Sequence, residues 1–96
     1  MKLSNPQQRF LCEYLSFLTY ALPNKELNEF VDQATELEIS VPVTPSDRNI
    51  AQHLYSAGLL DYLEVTSDKY NLPSVSMKFS RLGVKTMISL AQQKCQ

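Results

Sequence analysis

The chain has 96 residues, 44% of them hydrophobic and 20% charged, with a formal net charge of −1 at pH 7. That length supports one modest core and not two domains, and no apolar run approaches the roughly 20 residues that span a bilayer. The near-neutral balance offers no bulk attraction to phosphate, but it is unevenly divided. Residues 1–44 hold three Lys/Arg against six Asp/Glu (−3), and residues 45–96 hold six against four (+2), which together give −1.

The opening MKLSNPQQRF has no apolar signal core, so no secretory leader is expected and a cytoplasmic location with reduced thiols is the prediction. Neither Cys12 nor Cys95 has metal-ligand or CxxC spacing, and Cys12, within an apolar stretch, reads as a small core residue, the alternative being a disulfide that ties the two ends of the chain together.

The first predicted helix runs from Pro6 to Leu22, capped by Asn5 and ended by Pro23. Leu11, Tyr14, Leu15, Leu18 and Leu22 share one face, and Phe10, Phe17 and Ala21 widen that stripe well beyond a third of the circumference. Two readings stay open: a central helix wrapped by the others, or a helix that packs on a second copy through Phe10, Tyr14, Phe17 and Ala21. The second helix is expected over Lys25–Glu38 with Asn24 as its cap, within a segment bounded by 24 and 38. Leu27, Phe30, Val31, Ala34 and Leu37 form its apolar stripe, and Glu26, Glu29, Asp32 and Glu36 form a solvated acidic face.

ISVPV, residues 39–43, alternates like a strand, but Pro42 confines it to a sheet edge or an extended connector. A third helix follows over 45–58. Thr44 and Asp47 form a T-x-x-D capping box, Pro45 fits the first helical position, and Gly58 suits a left-handed C-terminal cap. Ile50, Ala51, Leu54 and Ala57 make its buried stripe, which leaves Arg48, Asn49, Gln52, His53 and Ser56 together on the opposite side. LDYLEVTS, residues 60–67, reads as a strand, SDKYNLP as a loop, and the strict alternation of Val75, Met77 and Phe79 with Ser74, Ser76, Lys78 and Ser80 as a half-buried partner strand. This is a β-hairpin over 60–79. A last helix over 81–93, capped by Ser80, turns Val84, Met87, Ile88 and Ala91 inward.

The order helix, helix, helix, hairpin, helix resembles a winged helix-turn-helix domain. HLYSAGLLDYLEV (53–65) is similar to the end of the recognition helix and the first wing strand of MarR-, PadR- and ArsR-type regulators, where L-x-x-x-G-L-[IL] leads into the strand. VSMKFSRLGVKTMISL (75–90) resembles their second wing strand and a [ST]-x-x-G helix start, here Ser80 and Gly83. The fold class expected is therefore α+β and mostly helical, a single winged-helix domain over 1–96. One departure is the connector Ile39–Thr44, longer than the usual turn between the two arms of the motif.

No catalytic constellation is present. His53 is the only histidine, and two glycines are too few for a phosphate-cradling loop; no enzyme activity, cofactor or metal is expected. What the resemblance implies is a small bacterial or phage transcription regulator that binds double-stranded DNA as a homodimer. Arg48, Asn49, Gln52 and His53 would then face base edges in the major groove. Lys69 and Tyr70 at the wing tip, with Lys78 and Arg81, would contact phosphate or the minor groove. The alternative is a winged-helix module that binds a protein partner and no DNA, to which the acidic balance and the broad apolar first helix point.

Overall fold

A computed structural model describes residues 2–93. The order is α1 (Asn5–Ala21), α2 (Leu27–Glu36), β1 (Ile39–Pro42), α3 (Pro45–Ser56), β2 (Leu60–Ser67), β3 (Pro73–Phe79) and α4 (Arg81–Gln93). The strands form one antiparallel sheet in the order β1-β3-β2, so the described residues make a small α+β fold of four helices on a three-stranded sheet.

Local chemistry accounts for most boundaries. Ser4, not Asn5, caps α1: its Oγ accepts from the Gln7 N–H, and Gln7 Oε1 accepts from the Ser4 N–H at 2.9 Å. Two orphan donors are satisfied reciprocally this way. The start of α2 also moves. Asn24 adopts φ 58 in the turn after Pro23, and Glu26 caps the helix by accepting from the Asn28 N–H at 3.1 Å. Leu27 therefore falls in the first turn and is exposed rather than buried. In α3 the Thr44 hydroxyl accepts from the Asp47 N–H at 3.1 Å, one of the two bonds of the expected capping box, and Gly58 takes φ 83 immediately beyond the helix, as the sequence predicts.

The core is built on one face of the sheet. Ile39 pairs with Met77 and Val41 with Val75 on one side of β3, and Leu63 and Val65 meet the same two residues from β2. Onto Val75, Met77 and Phe79 pack Leu11 and Leu18 of α1, Phe30 and Ala34 of α2, Leu54 of α3, and Val84 and Met87 of α4, all buried. The opposite face is polar: Ser40 and Ser76 share a hydrogen bond of 2.8 Å, and Tyr62, Glu64 and Lys78 lie beside them. β1 is an edge strand, where the missing N–H of Pro42 does no harm.

One joint ties three elements together. Ser80 is buried; its Oγ donates to the Gly58 carbonyl at 2.7 Å and accepts from the Gly83 N–H at 3.0 Å. The Ser80 N–H also donates to the Leu59 carbonyl at 3.1 Å. Gly83 comes so close that a Cβ there would lie 2.1 Å from the Leu59 carbonyl oxygen. The S-x-x-G spacing is thus a docking device between the end of α3 and the start of α4.

Cys12 is disulfide-bonded, a departure from the reduced thiol expected; Cys95 lies outside the described residues. Among those residues no helix is long and apolar enough to cross a membrane.

Candidate nucleic-acid interface

α3 begins with an efficient cap and ends at a glycine turn, so its length and rotation are fixed at both ends. Ala51 and Leu54 are buried and Ile50 is half-buried against the core. Asn49, Gln52, His53 and Ser56 are exposed, and Arg48 is half-buried at the flank of that stripe. The Arg48 guanidinium donates to Asn49 Oδ1 at 3.5 Å, a weak contact. Ala57, expected in the buried stripe, lies at the C-cap and is exposed.

The hairpin turn is more ordered than its composition suggests. Asp68 Oδ1 accepts from the Tyr70 N–H at 2.8 Å and the Leu72 N–H at 2.9 Å, and Asn71 takes φ 61. Ser67 pairs with Pro73, so the turn proper is shorter than SDKYNLP. Lys69 Nζ stands 5.0 Å from the centroid of the exposed Tyr70 ring, a cation–π contact. Asp68 was not singled out from the sequence, although an aspartate that opens a turn and binds its backbone N–H groups is a familiar signal.

These two regions meet. Val43, Thr44, Pro45 and Asp47 at the start of α3 line a shallow groove of about 450 Å³ with Asn71, Leu72 and Pro73 of the hairpin, and the Val43 N–H donates to the Pro73 carbonyl at 3.0 Å. The structure therefore sets the start of α3, from which Arg48 and Asn49 follow, against the hairpin that bears Lys69 and Tyr70.

It does not bring every expected residue there. Arg81 is ion-paired with Asp32 of α2, which neutralises it at the α2–α4 contact. Lys78 projects from the polar face of the sheet, opposite Tyr62. Tyr62 donates to Glu64 Oε2 at 3.0 Å, and that bond raises its pKa.

Of the residues expected at a dimer surface, Phe10 is buried in the core, and Tyr14 is half-buried between Phe10 (4.7 Å between ring centroids) and Phe79 (6.0 Å). Burial, reinforced by Asp47 and Glu13, raises the Tyr14 pKa. Phe17 and Ala21 remain exposed, with Tyr20 beside them. The broad stripe on α1 is thus divided, one part core and one part surface.

β1 also separates α2 from α3. The helix α2 packs on α4 and β3, whereas α3 packs on β2, α1 and β3. α3 is held by the hairpin that follows it and by α1, not by a tight turn from α2.

No group of three or more His, Cys, Asp or Glu among the described residues could hold a metal ion. Comparison with protein families, with curated proteins and with solved structures gives no significant match.

Proposed function

We propose that this chain is a small DNA-binding transcriptional regulator of winged-helix type that acts as a homodimer. α3 enters the major groove, and the β2–β3 hairpin serves as the wing on the adjacent backbone. The observation that carries this reading is the composition of the exposed α3 face. Asn49, Gln52, His53 and Ser56 present hydrogen-bonding groups to solvent with no carboxylate among them, on a helix whose start lies against the hairpin that bears Lys69 and Tyr70. Arg48 and Lys69 are the cations for phosphate; Lys78 stands on the polar face of the sheet, and Arg81 is paired with Asp32. The surface of α1 that carries Phe17 and Ala21 is the dimer face.

A second reading, a protein-binding module, is favoured by one specific observation. At the α3–hairpin end, Arg48 and Lys69 stand beside two carboxylates, Asp47 and Asp68, so the face is not contiguously positive. Titration of mixed-sequence duplex DNA at two salt concentrations separates the two. DNA binding that weakens steeply with salt and falls further in Arg48→Ala supports the first. No binding at low salt leaves the second.

A further inference from the structure

The exposed face of α3 has a composition that bears on which bases it reads. Residues advance about 100° along a helix, so Asn49, Gln52, His53 and Ser56 fall within one narrow arc, and all four are exposed. Two of them are amides. The side chains that read guanine through O6 and N7 are Arg and Lys. α3 has no Lys, and its one Arg, Arg48, is half-buried at the flank of the arc and turned onto Asn49.

We infer, on the basis of the DNA-binding reading above, that α3 reads adenine in the major groove, with Asn49 and Gln52 as the specificity-determining residues. An Asn or Gln amide matches adenine with its two complementary groups: the carbonyl oxygen accepts from N6–H and the amide N–H donates to N7. Guanine presents two acceptors there and leaves the amide oxygen facing a lone pair. Asn49 Oδ1 accepts from Arg48 through one lone pair and keeps the other for a base. The two amides are three residues apart, about 4.5 Å along the helix axis, close to the rise of roughly 3.4 Å between neighbouring base pairs. They therefore address neighbouring pairs, with His53 and Ser56 further along the same stripe. Arg48, whose contact with Asn49 is weak, supplies charge for a phosphate.

The test is selection from a random duplex pool with the full chain at low salt, followed by anisotropy titrations of the selected site with wild type and the exposed-face variants Asn49→Ala and Gln52→Ala. Circular dichroism checks that both variants are folded. The expected motif has adjacent A·T pairs at its most constrained positions. Each A·T to G·C exchange there costs about 5- to 150-fold in affinity, each Ala variant relaxes the preference at one position, and adenine lacking N7 weakens wild type but not the matching variant. Arg48→Ala should lower affinity for all duplexes alike. A motif led by G·C, or a preference unchanged in both Ala variants, overturns the adenine assignment while DNA binding stands. A pool from which no duplex is retained overturns the DNA-binding reading and this inference with it.

Discussion

Replacing Gly83 with alanine should destabilise the chain, although α4 is a helix and alanine is the better helix former. The added Cβ would sit 2.1 Å from the Leu59 carbonyl oxygen and 3.0 Å from its carbonyl carbon, both backbone atoms that cannot rotate away. Carbon and oxygen in contact stand about 3.3 Å apart, so the first turn of α4 must withdraw by about 1 Å. Such overpacking costs about 1–3 kcal/mol. The withdrawal also stretches the Ser80 hydrogen bonds to Leu59 and Gly58, each contributing about 1 kcal/mol. The gain in helix propensity returns about 1 kcal/mol at most. The net loss is about 2–4 kcal/mol, a large share of the ~5–15 kcal/mol that holds a small domain together. Gly58→Ala is the internal comparison, because Gly58 has φ 83 and nothing within 4 Å of the new carbon. It carries only the left-handed backbone cost of about 1–2 kcal/mol. Urea denaturation followed by far-ultraviolet circular dichroism reads both, with the Gly83→Ala midpoint lower by roughly 1–2 M. A Gly83→Ala chain as stable as wild type, or more so, would refute the close-approach argument and leave helix propensity as the larger effect.

Further predictions concern three side chains. Ser80→Ala removes the acceptor of the Gly83 N–H and the donor to Gly58, and should cost about 1–3 kcal/mol in the same urea assay. The Tyr14 pKa is raised on folding, so the native state keeps its proton while the unfolded chain loses it. The stability this represents is present below the unfolded value of about 10 and is lost as pH rises through the folded pKa. Denaturation midpoints between about pH 8 and about pH 11 should therefore fall less in Tyr14→Phe than in wild type; identical profiles would contradict the assignment. Phe17, 45% exposed on α1, should tolerate Phe17→Glu without unfolding, and sedimentation should show the wild-type dimer shifted to monomer. A wild-type monomer at high micromolar concentration would remove the dimer from the account.

What the sequence made legible was local. Thr44, Pro45 and Gly58 mark α3 because a cap, a fixed φ and a left-handed residue each act within one turn. The alternation of Val75, Met77 and Phe79 identifies the buried face of β3 because side-chain direction in a strand has period two. Boundaries slipped where two caps competed. Asn5 and Ser4 are both good N-caps, and only the reciprocal bond with Gln7 selects Ser4; Asn24 was taken by a turn and Glu26 capped α2 instead. The non-local facts were not legible. Arg81 and Asp32 lie 49 positions apart, and nothing in either neighbourhood announces their pairing. The width of the α1 stripe was plain, but which part of it the sheet covers depends on where Phe79 arrives, so Phe10 and Tyr14 went to the core while Phe17 stayed outside. The candidate site was legible as an α3 face and a hairpin tip. Their adjacency required the groove between Thr44, Pro45 and Leu72 to be seen.

The central claim is that the α3–hairpin surface binds DNA, and the salt dependence of binding to a mixed duplex tests it most directly. Each phosphate neutralised contributes about −0.9 to the slope of log affinity against log salt concentration. Arg48 and Lys69 then give about −1.8 per chain, and about twice that for a dimer bound through both copies. The expected slope lies in that range, falls in magnitude by about 0.9 for each cation removed from each bound chain, and is unchanged in Arg81→Ala, whose charge is paired with Asp32. A slope near zero, or no binding at low salt, would contradict it.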